Sequence, residues 1–147
     1  MGGPASLRFL QNISMIKKSF FFLCLSAMLS SGQLFAQQPL WQLQSDSGLT
    51  LSVFSQLEPI EINRIHSWEL LINDADGRPV TESTIAVEGG MPEHDHGLPT
   101  SPRVTAEIVP GRYLLEGVRF HMQGLWHMVF TIDTGDAIEE LTLDFDL

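Results

Sequence analysis

The chain has 147 residues, the length of one domain, and carries 18 Asp and Glu against 8 Lys and Arg, a formal charge of −10. So acidic a surface repels nucleic acid and anionic lipid, which excludes a protein that works by binding either of them. The same surface attracts metal cations and basic protein partners.

The N-terminal segment, residues 1–36, has the features of a secretory signal peptide. Two lysines precede an apolar run, SFFFLCLSAMLSS, that is too short for a stable membrane span, and small and polar residues follow it. We predict cleavage after Ala36, with Gly32 as the alternative because Leu34 is not a small residue. Met15 lies directly before the lysine pair, and we expect it to be the true start of translation.

Cleavage changes the composition of the mature chain, residues 37–147. It removes the only cysteine and three of the eight basic residues, which leaves five arginines against 18 acids, a formal charge of −13. The mature chain therefore has neither a disulfide nor a thiolate metal ligand. Its length is sufficient for an apolar core, and we expect a periplasmic or secreted protein with no membrane span after cleavage.

The mature chain shows the alternation of β-strands and no helical periodicity. Segments rich in Asn, Asp, Gly and Pro separate these strands at regular spacing. Seven or eight such strands are typical of an all-β, immunoglobulin-like β-sandwich, which we predict as a single domain over residues 37–147. The predicted strands cover residues 41–44, 49–54, 66–72, 84–87, 104–109, 112–121, 125–132 and 138–145.

The stretch from residue 89 to 99, GGMPEHDHGLP, is the part of the predicted loop 89–102 where chemistry is expected. His94 and His96 are two residues apart, and alternate residues of an extended segment project to the same side, so both imidazoles can face one ion. Neutral imidazole suits copper and zinc, and a thioether such as that of Met91 selects Cu(I). Prolines stiffen the loop, which reduces the cost of ordering it on binding.

Other histidines and methionines are candidates for completing the ligand set. Met122 and Met128 share the parity of Trp126, which favours core packing for both methionines. His121 has the opposite parity from Met122, so the two can approach one ion only where the chain bends, at Gly124 or at a bulge. The candidate metal ligands are therefore His94, His96, Met91, His121 and Met122.

Simpler interpretations exist for four of the five histidines. His127 is predicted to face solvent on a strand, and His66 to make a hydrogen bond at a strand end. The pair His94 and His96 can also serve only to hydrogen-bond main-chain carbonyls and pin the loop, because no complete ligand set can be read from the spacing. Both interpretations of the pair stay open at this point.

Three motifs follow one another in the mature chain: MP-x-H-x-HG at residues 91–97, G-x-Y at 111–113 and F-x-M-x-G-x-W at 120–126. In this order, within residues 60 to 132, they resemble the YtkA-like/FixH-like family of small extracytoplasmic domains. The resemblance implies an immunoglobulin-like domain that handles copper, found near respiratory oxidase and metal-export genes. FixH-type members usually keep a transmembrane anchor, whereas this chain is expected to be cleaved and released.

The sequence does not favour an enzyme. Cupin oxygenases follow His-x-His with a Glu, where this chain has Thr100 and Ser101, and copper-zinc superoxide dismutases need more histidines and a disulfide. A nucleophile elbow, a phosphate loop and a His-Glu-x-x-His motif are all missing from the sequence.

We therefore predict a copper-binding or copper-delivery accessory protein of the cell envelope. Its expected partner is a copper-handling or respiratory-oxidase-related envelope protein. The alternative is a metal-free protein-interaction module in which the His-x-His loop is structural and the acidic surface binds a basic partner, an association that salt would weaken.

Overall fold

The computed structural model describes residues 37–147, and the predicted signal peptide lies outside the described residues. The described chain forms nine β-strands and a single-turn 3-10 helix, Pro92–His94, and it contains no helix long and apolar enough to cross a membrane. The strands are β1 (Trp41–Gln44), β2 (Thr50–Ser55), β3 (His66–Asn73), β4 (Thr84–Met91), β5 (His96–Gly97), β6 (Arg103–Val109), β7 (Arg112–Val118), β8 (Leu125–Asp133) and β9 (Ile138–Asp146).

The strands form two antiparallel sheets. One sheet has the strand order β1-β2-β3-β7-β6 and the other β5-β4-β8-β9. The orders β2-β3-β7-β6 and β4-β8-β9 within them are those of strands A-B-E-D and C-F-G of the immunoglobulin fold. The predicted immunoglobulin-like β-sandwich is confirmed.

The core between the sheets is centred on a cluster of aromatic rings. Strands β3 and β8 alternate buried and partly exposed residues, as their sequences predict. Phe120 is 0% exposed, and its ring centroid lies 5.8 Å from Trp68, 5.0 Å from Trp126 and 5.3 Å from Phe145. Because burial of one large apolar side chain contributes about 1.5–3 kcal/mol, this cluster is a main source of stability in a domain without cysteine.

The G-x-Y motif fixes the connection between β3 and β4. Gly111 has φ of +74°, and a Cβ on it would lie 2.7 Å from the Cβ of Pro79, so only glycine fits there. The Tyr113 hydroxyl donates a hydrogen bond to Val80 O (2.8 Å) and accepts one from Ser83 N–H (3.1 Å). The motif therefore has a structural role at the end of the sandwich that carries the turn after β3.

Strand β4 is longer than predicted. It continues through Gly89 and Gly90 to Met91, so these residues pair as a strand instead of opening the loop. A Cβ on Gly89 would overlap Met128 Sδ, and one on Gly90 would lie 2.6 Å from His96 O. The two glycines thus let neighbouring side chains and strands approach closely.

Strand β7 is shorter than predicted and ends at Val118 instead of residue 121. Phe120 still faces the core, and its carbonyl accepts a hydrogen bond from Asn63 N–H (2.6 Å) in the β2–β3 connection. This contact draws the chain out of the regular strand, and it leaves His121 in the irregular segment before β8.

Strand β6 does not follow its predicted alternation. It lies at the edge of its sheet, and its pairing with β7 shifts register twice, between Val104 and Ala106 and between Glu107 and Val109. The shifts break the common face expected for Val104, Ala106 and Ile108, and only Val104 is partly buried.

His66 begins β3 and is buried beside Trp68 and Phe120. Its Nδ1 lies 3.1 Å from Arg64 O, which confirms the predicted hydrogen bond at the strand end. Its Nε2 is buried and has no partner within residues 37–147. Loss of hydration on burial lowers the pKa of His66, and the hydrogen bond to Arg64 offsets only part of that effect.

This burial predicts a pH dependence of stability. The folded protein binds a proton at His66 less readily than the unfolded chain, whose pKa is near the ordinary value of 6.5. The free energy of unfolding should therefore be highest above pH 6.5 and fall as the pH drops towards the lowered pKa of the folded state. Urea unfolding between pH 8 and pH 5 measures this slope. His66→Asn keeps a donor for Arg64 O but cannot titrate, so an unchanged slope in that variant would contradict the prediction.

Candidate metal site

Strand β5 places His96 at the open end of the sandwich. It pairs with the end of β4, so that His96 lies opposite Met91 and Gly97 lies opposite Gly90. Residues opposite each other in a sheet project to the same face, and Met91 is only 2% exposed. His96 therefore projects towards the core side next to the Met91 thioether, with its ring centroid 6.3 Å from that of Trp126.

The segment between β7 and β8 brings His121 to the same place. The ring centroids of His121 and His96 lie 4.7 Å apart, with their planes at 47°. The chain then bends at Gly124, whose φ is +120°, and a Cβ there would lie 3.0 Å from Met91 Cε. The bend at Gly124, considered from sequence as a way for His121 and Met122 to approach one ion, is present and lies against the Met91 side chain.

Trp126 holds this segment in position. Its Nε1–H donates to Met122 O (3.2 Å), and its ring meets the His121 ring edge-on, with centroids 5.6 Å apart. Sequence parity predicted Trp126 as a core residue but did not indicate this second role. A buried indole N–H usually finds a hydrogen-bond partner nearby. That property of Trp126 is the signal from which this role could have been proposed.

Two ring nitrogens at this site are buried without a hydrogen-bond partner among the described residues: His96 Nε2 and His121 Nδ1. Five other side-chain polar atoms of the described residues are also buried without a partner, so what distinguishes these two is that they belong to adjacent imidazole rings. His96 Nδ1 lies 3.3 Å from Gly97 O, and we assign the proton to that nitrogen, which leaves a lone pair on Nε2. Metal-binding histidines commonly donate one N–H to a carbonyl in this way, so the chemistry of His96 is that of a possible metal ligand.

His94 is arranged differently. It lies in the 3-10 helix and is exposed, and Asp95 after it adopts a left-handed conformation with φ of 50°. The segment is therefore not extended, and the geometry expected for the His-x-His pair was wrong. The rings of His94 and His96 are nearly parallel, at 14°, with centroids 5.8 Å apart. At that separation the two rings are not in face-to-face contact, and His94 differs from His96 chiefly in being exposed to solvent.

The remaining candidates are held differently, although His127 lines the same surface pocket as Met91 and His96. The Met122 side chain is 36% exposed, so its predicted packing in the core was wrong, whereas Met128 is fully buried as predicted. His127 is partly exposed on the outer face of its sheet, with Nδ1 2.6 Å from Asp144 Oδ1. Within residues 37–147 no three His, Cys, Asp or Glu side chains form a set that could hold a metal ion. The candidate donors near one another are thus the His96 and His121 imidazoles, with Met91 paired opposite His96 on the adjacent strand.

Comparison with known proteins identifies a family. The YtkA-like family model matches residues 51–131, more than half of the chain. The sequence matches no curated protein. The structure is similar to that of the ZirS C-terminal domain, with a TM-score of 0.41 and 14% sequence identity over 98% of this chain and 86% of that one. A structural likeness this distant carries no argument about function.

Proposed function

Because the chain belongs to the YtkA-like family, we propose that this small β-sandwich is an exported domain that carries copper in the cell envelope. The observation that supports the proposal is the pair of buried, unpartnered nitrogens, His96 Nε2 and His121 Nδ1, on rings 4.7 Å apart. Copper is the cargo of this domain, which binds and releases the ion and catalyses no reaction.

The chemistry of the donors favours Cu(I). Imidazole nitrogen accepts copper or zinc, and the thioether of Met91 shifts the preference towards Cu(I). All three donors are neutral, so they balance none of the charge of a buried ion. Burial of a singly charged ion therefore costs less than burial of a divalent one. The Trp126 ring and the Met91 side chain give the site apolar walls, and both are buried.

The rest of the chain supports the proposed export and delivery. The predicted signal peptide, residues 1–36, directs the domain to the periplasm or the medium. The formal charge of −13 on the mature chain attracts cations and a basic partner surface. We propose that the receiver of the metal is a copper-handling or respiratory-oxidase-related envelope protein.

The experiment is a competitive Cu(I) titration against a chromophoric chelator, with protein purified without a His-tag. We expect one Cu(I) per chain. Met91→Leu should weaken Cu(I) binding about tenfold, or about 1.4 kcal/mol, and should leave zinc affinity unchanged. Leucine nearly conserves the volume of methionine, so the fold should lose less than about 1.5 kcal/mol.

Met128→Leu is the matched control, because Met128 is an equally buried methionine whose neighbours are core residues. Equal Cu(I) affinities for Met91→Leu and Met128→Leu would remove Met91 from the ligand set. A wild-type protein that binds Cu(I) no more tightly than the His96→Ala variant would refute copper carriage altogether.

The outer face of the four-stranded sheet favours a second candidate function, the metal-free interaction module. None of the five arginines of the mature chain lies on β4, β8 or β9. The exposed acids of these strands include Glu88, Asp133, Glu140, Asp144 and Asp146. Such a face fits a basic protein surface, and this function would remain if the titration found no copper binding.

A further inference from the structure

Three imidazoles lie next to one another at the open end, with His96 between His94 and His121. The His94 ring is exposed and takes part in no hydrogen bond within the described residues. The His96 ring follows at 5.8 Å and is partly buried, and the His121 ring lies 4.7 Å beyond His96. His96 is thus the ring that both neighbours approach.

The two neighbours of His96 differ in how they meet it. His121 lies at 47° to His96, and each ring has a buried nitrogen without a partner. His94 is nearly parallel to His96, at 14° and 5.8 Å, but it is exposed and has no nitrogen among the buried, unpartnered ones. The His94 ring therefore lies on the solvent side of the buried nitrogens of His96 and His121.

Resting on the proposed copper carriage, we propose that His94 is an exchange ligand: it binds copper during uptake and release but does not hold the ion at rest. The buried nitrogens of His96 and His121 are shielded from a chelator or a partner in solution. An exposed imidazole beside them binds the copper ion before its bonds to the buried nitrogens break. This lowers the activation barrier for release of the ion from the shielded site. His96 neighbours both His94 and His121, so it keeps contact with the ion throughout the exchange.

This role has a kinetic signature. A ligand that stabilises only the transition state raises the rates of uptake and of release by the same factor, and it leaves the dissociation constant unchanged. Loss of a holding ligand instead weakens equilibrium binding. The rate of transfer and the equilibrium affinity therefore separate the two roles of a histidine.

The test uses the wild-type protein and His94→Ala, each loaded with one Cu(I) and mixed rapidly with an excess of a chromophoric Cu(I) chelator. We expect transfer from His94→Ala to be about tenfold slower, while the equilibrium dissociation constant stays within about twofold of the wild-type value. His127→Ala is the control, because it removes another partly exposed imidazole, one bound to Asp144. It should change neither quantity, and the thermal stability of His94→Ala should match that of the wild type.

Two results would overturn the inference. Transfer from His94→Ala as fast as from the wild type would show that His94 does not assist exchange. An affinity loss as large as that of His96→Ala would make His94 a holding ligand. Neither result would affect the proposal of copper carriage, which fails only if the wild-type protein takes up no copper in the equilibrium titration.

Discussion

Replacement of His96 or His121 by alanine is expected to reduce Cu(I) affinity by about a hundredfold or more. Loss of a residue that only hydrogen-bonds to a metal ligand commonly reduces metal affinity 10- to 100-fold. Loss of a ligand itself should therefore reduce the affinity by at least the upper value of that range. Each variant removes one of the two buried, unpartnered nitrogens. Competition with a chromophoric Cu(I) chelator measures the change.

The metal-free proteins provide an independent readout. In the copper-carrying interpretation, these substitutions delete buried polar atoms that have no partner, so the free energy of unfolding should stay the same or rise. If the imidazoles instead hold the loop in place by hydrogen bonds, His96→Ala should lower the free energy of unfolding. His96 makes a single ring hydrogen bond within the described chain, to Gly97 O at 3.3 Å, which favours the first outcome.

The double variant tests whether the two rings act together. Two ligands of one ion are coupled, so combining His96→Ala with His121→Ala should cost much less than the sum of the two single losses. His127→Ala, on the outer face of the sheet, serves as the matched control. Full additivity, or an equal loss in the control, would show that the two imidazoles do not share an ion.

Replacement of Phe120 by alanine should lower the free energy of unfolding by about 3–5 kcal/mol. Its ring is fully buried and contacts the rings of Trp68, Trp126 and Phe145, so its loss leaves a cavity between the two sheets. Domains of this kind are stable by only about 5–15 kcal/mol, so the loss is a large share of the total. Urea unfolding followed by tryptophan fluorescence measures it.

Ile138→Ala gives the comparison for an exposed apolar side chain. Ile138 is 71% exposed, so its truncation should change the stability by no more than about 0.5 kcal/mol. A loss below about 1 kcal/mol for Phe120→Ala would mean that the aromatic cluster is not the centre of the core. Copper affinity should also fall in Phe120→Ala, because the residue anchors the segment that carries His121.

The fold could be predicted from the sequence because alternation over eight segments leaves few arrangements other than a sandwich. The two-residue strand β5 could not be predicted, since His96 and Gly97 are too few to show a period. It forms because Gly90, which has no side chain, admits the backbone of His96 at close range. Tertiary pairing, which local pattern does not encode, determines that strand.

The candidate site was only partly predictable for the same reason. Met91 and His96 could be identified together because they are close in sequence. The 4.7 Å approach of His121 to His96 depends on where β7 ends and how the chain bends before β8. Parity assigned Met122 to the core because it assumes an unbroken strand, and the chain has left the strand at Val118.

The register shifts along β6 have a consequence for behaviour at high concentration. An edge strand with a regular row of free N–H and C=O groups invites another chain to add to the sheet, and exposed apolar residues such as Ile108 and Val109 strengthen that tendency. Here the two irregularities move the free groups out of line, so an incoming strand cannot form a continuous ladder. This edge of the five-stranded sheet is thereby protected against edge-to-edge aggregation.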